Sequence, residues 1–232
     1  MTIHTSIDRR KFVVGAAAVA GGFSLGMRIP FTDGAAEAAE VQEINAWVVI
    51  HPDDKVVVRI ARSEMGQGTL TGLAQMVAEE LECDWSKVTT EYPTPGENVR
   101  RNRVWKNFST GGSRGIRESN QYVREGGAAA RMMLIAAAAA EWKVPAGECT
   151  AANSVVKHSS GKTLGYGHLA AAAAKLDPPK EIPLKDPKDW KVIGKPIHRL
   201  DTVDKITGKQ IYGFDVKLPN MLTATEIGRA HV

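Results

Sequence analysis

VVVRIARSEMGQGTLTGLAQMVAEEL, residues 56–81, contains the change of period on which the fold turns. Val56 to Ile60 is a β-branched run of strand length. From Thr69 to Leu81 the apolar residues Leu70, Leu73, Ala74, Val77, Ala78 and Leu81 recur at helical spacing and share one face. A strand therefore hands over to an amphipathic helix through SEMGQG, residues 63–68, where Gly66 and Gly68 bracket Gln67. A helix start leaves four backbone N–H groups without intrahelical partners and carries the positive end of the helix dipole. Glycine lets another group approach such a backbone and permits positive φ. These are the ingredients of a phosphate or pyrophosphate cradle, with Thr69 placed to cap the helix or donate to a ligand oxygen.

Working outward, Ile44, Ala46, Val48 and Ile50 alternate with Trp47 and Val49 as one strand from Glu43. A His51–Asp54 turn then leads into the strand at Val56, making a hairpin. Downstream, Trp85 to Tyr92 reads as a strand and Gly96 to Asn107 as a polar, arginine-rich loop. A second glycine junction, FSTGGSRG at 108–115, opens a long helix predicted from Ile116 to Trp142. Its second half, Ala128 to Ala140, is apolar nearly all round and should be buried. A hairpin over 154–164 and a short helix from Tyr166 to Leu176 follow. Residues 177–191 hold four prolines and read as a linker. The expected fold class is α/β (α+β): a mixed-sheet subdomain with two main helices over 43–176, then the opening of a β domain over 192–225.

The second junction repeats the ingredients of the first. Ser109, Thr110 and Ser113 surround Gly111 and Gly112, and Arg114 and Arg117 lie in the first turn of the expected helix. Cations at a helix N-terminus are unfavourable unless an anion compensates them, so the pattern points to an anionic ligand. Neither junction is a Walker loop, and neither completes G-x-G-x-x-G. From the residues alone, each is also read as an ordinary turn with a helix cap.

The chain has 232 residues with 30 basic and 26 acidic side chains, a formal net charge of +4. That balance does not point to nucleic acid as a partner. Cys83 and Cys149 are far apart and read as two buried thiols, and the histidines show no metal spacing. Arg100, Arg101 and Arg103 read as a solvated cluster. At the N-terminus, Arg9 and Arg10 precede Phe12, a Gly/Ala-rich apolar run and Ala36-Glu37-Ala38. Residues 1–39 therefore read as a twin-arginine export signal, which implies a periplasmic destination for an already folded chain. Residues 226–232 read as a non-native tail on a truncated frame.

EMGQGT at 64–69 with Gln75, Ala78 and Glu79, STGGSRGIRES at 109–119, and RLDTVDKITGKQIYGFDVKLPNML at 199–222 resemble three segments of the molybdenum hydroxylases. This is the xanthine oxidase and aldehyde oxidase superfamily, and the order is similar to that of isoquinoline 1-oxidoreductase beta subunits. The resemblance implies a fragment of a catalytic subunit carrying molybdopterin cytosine dinucleotide. It also implies hydroxylation of an aldehyde or N-heterocycle carbon with oxygen from water. Electrons would pass to 2Fe–2S clusters on a small iron–sulfur partner subunit, with a membrane cytochrome open as a further acceptor. Gly66, Gln67, Gly68, Thr69, Ser109, Thr110, Gly111, Gly112, Ser113 and Arg114 would contact the cofactor. The tail segment would open a hammerhead-like β domain, poorly packed without its partner strands. No residue is assigned as catalytic or as a metal ligand; Glu64 and Glu79 read as solvated or structural carboxylates. The competing reading is an exported, non-catalytic α/β module that binds a phosphate-bearing ligand.

Overall fold

The computed structural model describes residues 41–225 and Gly228. The export signal read at 1–39, and the tail at 226–232 apart from Gly228, lie outside the described residues. A four-stranded sheet runs in the order β1 (Gln42–Asn45), β2 (Val48–Ile50), β3 (Val56–Arg59) and β4 (Val88–Glu91). The first three strands are antiparallel and β3–β4 is parallel, so the sheet is mixed. The parallel pair requires a crossover, which is helix α1 (Thr69–Leu81). Its bounds are those of the apolar stripe.

The alternation from Glu43 to Ile50 is two strands, not one. Asn45 Oδ1 accepts from the amides of Trp47 (2.9 Å) and Val48 (3.1 Å), turning the chain back at once. Alternation alone does not register a reversal made by a side chain. The arginine-rich loop likewise contains a helix, α2 (Pro95–Arg100), capped by Thr94 Oγ1 at 3.1 Å from the Glu97 amide. It leads to Trp105, fully buried, whose indole N–H donates to the Ala46 carbonyl at 2.7 Å. Arg101 lies over that ring at 4.8 Å and pairs with Glu43, so the cluster is partly structural and not simply solvated.

The long helix expected from Ile116 is divided into α3 (Arg114–Arg117) and α4 (Asn120–Trp142). α4 packs along α1, and the approach is close because of Gly127, while Gly126 makes room for Trp47. A Cβ on Gly127 would lie 2.5 Å from the Val77 carbonyl oxygen, and one on Gly126 would lie 2.7 Å from the Trp47 ring. Beyond α4, β5 (Cys149–Ala152), β6 (Val155–His158) and β7 (Thr163–Gly165) form an antiparallel meander. Helix α5 (Tyr166–Ala173) then returns to the core, where the Tyr166 hydroxyl donates to the Leu81 carbonyl at 2.6 Å. Both cysteines are free and buried. No described helix is long and apolar enough to cross a membrane.

The proline-rich stretch lacks strands but is not a loose tether. Glu79, 1% exposed, accepts from the amides of Lys191 (2.8 Å), Val192 (2.6 Å) and Ile193 (3.1 Å) and from Lys185 Nζ (2.7 Å). Its neighbour Glu80, fully buried, accepts from the Arg124 guanidinium and from the Lys185 amide. Residues 185–193 are therefore a strap across α1, and Glu79 and Glu80 are buried, structural carboxylates. The strands expected over 193–218 are not present among the described residues; α6 (Thr202–Ile206) stands there instead. Ile206, Ile211, Phe214 and Leu222 are exposed, and an apolar run with no strand beside it does not hold β structure by itself. The expectation of poor packing is thus corrected as far as residue 201, whose segment is fastened to α1.

Gly127→Ala is expected to destabilise the fold by about 1–3 kcal/mol, because the obstructing atom is backbone and cannot rotate away. Gly147→Ala, where a Cβ meets nothing within 4 Å, should stay within about 0.5 kcal/mol of the parent. Denaturant melts of the two variants check the difference.

Candidate functional site: two glycine loops

After β3 the chain runs through residues 60–68 to the start of α1. Gly66 (φ 102°) and Gly68 (φ 85°) adopt left-handed backbone, and a Cβ at either would project into open space. The amides of this loop point inward, onto Glu64. One Glu64 oxygen accepts from the amides of Gly66 (2.7 Å) and Gly68 (3.0 Å), and the other from Leu70 (3.0 Å). The expected anion at this helix start is a carboxylate of the chain itself, so the phosphate cradle read at the first junction is already filled. Gln67 braces the loop: its Oε1 accepts from the Met65 amide at 2.6 Å and its Nε2 donates to the Ser63 carbonyl at 2.9 Å. Thr69 does not cap the helix. Gly68 occupies the cap position, and the Thr69 side chain is buried, 3.0 Å from where a Cβ on Gly115 would stand.

The second loop is organised by Arg62, a residue outside the sequence assignment. Its side chain is 2% exposed; it donates to the Ser109 carbonyl and to Ser119 Oγ (3.2 Å), with Glu118 at 3.4 Å. Ser119 Oγ also accepts from the Tyr122 hydroxyl, and the helix breaks at this hydroxyl hub. α3 is consequently a single turn with little dipole, which removes the conflict that made Arg114 point to an anion. Arg114 turns back on its own loop, donating to Ser109 Oγ (2.7 Å) and the Gly111 carbonyl (3.2 Å). Gly112 and Ser113 both sit at φ 56°.

The two loops touch. The Ser63 amide donates to Thr110 Oγ1 at 2.9 Å, Arg62 joins the first loop to the Ser109 carbonyl, and Gly115 packs on Thr69. Gly66, Gly68 and Gly111 present faces with nothing within 4 Å of a built Cβ. The amides of Gln67, Thr110, Gly111 and Gly112 have no partner among the described residues. The result is a donor-rich backbone surface, with the Met65 side chain exposed beside it. Beside it lies a cavity of about 580 Å³ bordered by Glu64, Gly66, Tyr92, Asp201 and Lys205.

A family model described as "Molybdopterin cofactor-binding domain" matches residues 5–216. The chain belongs to this family. Among similar proteins, the membrane-bound aldehyde dehydrogenase [pyrroloquinoline-quinone] of Gluconacetobacter polyoxogenes is 33% identical over 230 residues, covering 94% of this chain and 29% of the relative. Isoquinoline 1-oxidoreductase subunit beta of Brevundimonas diminuta is 29% identical, covering 94% of this chain and 33% of its own. The chain thus spans about a third of the length of these relatives. The crystal structure of quinoline 2-oxidoreductase from Pseudomonas putida 86 matches 57% of this chain and 17% of its own at 22% identity, with a TM-score of 0.42.

Charge around the first glycine loop is tightly arranged. Burial pushes the Glu64 carboxyl up, but the amides of Gly68, Leu70 and Gly66 and the charge of Arg199 outweigh it and hold it below the usual carboxylate range. Glu79 is likewise lowered: burial raises it, and Lys185 with the amides of Val192 and Ile193 overcomes this. The Arg199 hydrogen bond holds Asp201 down to about 2, against burial and with help from Lys205. Each of these groups stabilises the fold above its ordinary value and loses that contribution as pH falls through its lowered one. Melting temperature is therefore expected to hold, as far as these groups decide it, from neutral pH to about 5, and to fall as pH drops from about 4.5 to about 2. Asp201→Asn should shrink the loss between its ordinary value of 3.8 and about 2; thermal melts across the acid range check both.

Proposed function

We propose that this chain is the part of an exported molybdenum-dependent oxidoreductase that holds molybdopterin cytosine dinucleotide on its two glycine loops. The observation that carries the reading is the open backbone surface where Gly66–Gly68 meets Thr110–Gly112, within a chain of the molybdopterin cofactor-binding family. A planar, hydrogen-bonding ring system fits a surface with nothing above Gly66, Gly68 and Gly111, several amides free of partners among the described residues, and the exposed Met65 side chain at its edge. Gly66, Gln67, Gly68, Thr110, Gly111, Gly112 and Ser113 would contact it through backbone. Thr69 is buried, and Ser109 Oγ is engaged by Arg114. The dinucleotide's negative charge would be met by Arg62 beneath the loops and by Arg114, not by the α1 start that Glu64 fills. That filling weakens the alternative of a stand-alone phosphate-binding module, which relied on free amides there.

When bound, the cofactor supplies two-electron oxidation of an electron-poor carbon, with water as the oxygen source. The chain's own residues supply shape, amide donors and positive potential. The substrate is a small molecule, an aldehyde or N-heterocycle, in keeping with the names of the two relatives. A small subunit with 2Fe–2S clusters would take the electrons, with a membrane cytochrome as a further acceptor. The paired arginines Arg9 and Arg10 support export to the periplasm after folding.

Gly111 provides a clean test, because its φ is ordinary and a side chain there meets nothing in the chain. Purified from a host that makes the cofactor, the parent chain is expected to retain molybdenum and an extractable pterin. Gly111→Val should retain at least about tenfold less, a difference of ~1.4 kcal/mol, with unchanged circular dichroism. Equal retention in both proteins, or a quinone extracted in place of the pterin, would overturn the reading.

A further inference from the structure

The segment after the strap reaches back to the first glycine loop through one side chain. Arg199 Nη1 donates to the Gly66 carbonyl at 2.9 Å, and Nη2 stands 3.1 Å from Glu64 Oε1. The same guanidinium is held by both oxygens of Asp201, at 3.0 and 2.9 Å, and Lys205 grips Asp201 from one turn on, at 2.5 Å. The next residue, Leu200, donates its amide to Thr71 Oγ1 in the first turn of α1 at 3.1 Å. Gln75 adds a bond to the Val192 carbonyl at 2.6 Å. Contacts from residues 192–205 thus run along α1 from its middle to its start and end on the loop.

We propose that Arg199 is the positioning residue of the first glycine loop: anchored by Asp201, it clamps Glu64 and the Gly66 carbonyl, so the loop is set before any cofactor arrives. Three observations converge. Glu64 is the only carboxylate among the described residues that accepts from the amides of this loop, and its side chain is only 7% exposed. Such a carboxylate is further stabilised by a cation, and among the described residues Arg199 is the one paired with it. Gly66 at φ 102° has little conformational preference of its own, so its shape must be imposed from outside. A guanidinium can serve a carbonyl and two carboxylates at once because its five N–H groups lie in a fixed fork; an ammonium cannot.

The proposal deepens the cofactor reading but is tested apart from it, by hydrogen–deuterium exchange of the full chain without cofactor. In Arg199→Ala, protection of the Gly66, Gly68 and Leu70 amides is expected to fall about tenfold, the scale of one charge-assisted hydrogen bond, while α4 amides keep theirs. Arg199→Lys should restore only part of it. Asp201→Asn, which leaves Arg199 in place without its anchor, should loosen the same three amides and serves if Arg199→Ala does not fold. Unchanged loop protection in Arg199→Ala or Asp201→Asn, full restoration by lysine, or an equal loss across α4 would overturn the proposal. Failure of Gly111→Val to lose cofactor, with the exchange result intact, would overturn the cofactor reading and leave the clamp standing.

Discussion

A carboxylate seated in the start of α1 governs the site. Glu64 takes up amides of Gly66, Gly68 and Leu70 that the helix cannot satisfy internally. A negative side chain at that position is favoured by the helix dipole and by the hydrogen bonds it accepts. With Glu64 in place, the loop folds over it and its glycines turn outward. A helix start with free donors attracts any anion; one already filled presents shape instead. Recognition then passes to the backbone on the outer face and to the second loop beside it.

The same helix carries a second set of buried carboxylates at its other end. Glu79 and Glu80 are removed from water, and a buried charge is tolerated only when paired and hydrogen-bonded. Three consecutive amides of the strap, Lys185 and Arg124 meet that requirement. The dependence is mutual: the carboxylates need the strap, and the strap, which has no strand partners, needs the carboxylates. α1 is therefore a rail whose two ends hold one downstream segment, at residues 185–193 and again at 199–201. Close packing against α4 at Gly127, where a Cβ would lie 2.5 Å from the Val77 carbonyl oxygen, seats the rail, so the loop at its head has a packed base.

Features carried by local period were legible in the sequence. The helix over 69–81, the glycine loops and the hairpin over 154–164 follow from spacing, glycine and turn residues; the strand Cys149–Ala152, which extends that hairpin to a meander, was not legible there. Features made by a side chain acting at long range were not. The reversal after Asn45 interrupts an alternating pattern without altering it. The helix break at Ser119 depends on Arg62, fifty-seven positions earlier. The strap has the composition of a linker, and side chains of α1 more than a hundred positions upstream, Glu79 foremost, with Glu80 and Gln75, make it a bound element. In the site, the glycines stood out because they are a local signal. The direction of the amides did not, because Glu64 could be read as a strand-end carboxylate facing water. A charged residue two positions after a β-branched run, as Arg62 is, was the one available sign of a buried hub.

In both loops nearly every side chain able to bind a ligand is turned inward. Gln67 braces its own turn, Thr110 accepts from Ser63, Ser109 takes Arg114, and Glu64 takes Arg199. What faces outward is largely peptide, with Met65 exposed beside it. A surface of peptide groups has fixed donor positions and no rotamers to order, so binding to it costs little conformational entropy. It also has no titrating group of its own, and its affinity would follow shape more than pH. Among the described residues the buried Arg62 beneath it pairs with one carboxylate, the exposed Glu118, at 3.4 Å. A rigid, flat, anionic molecule suits those conditions better than a flexible one, because most of the surface is fixed peptide and only the exposed Met65 beside it, among the described residues of the first loop, is a long apolar side chain free to move.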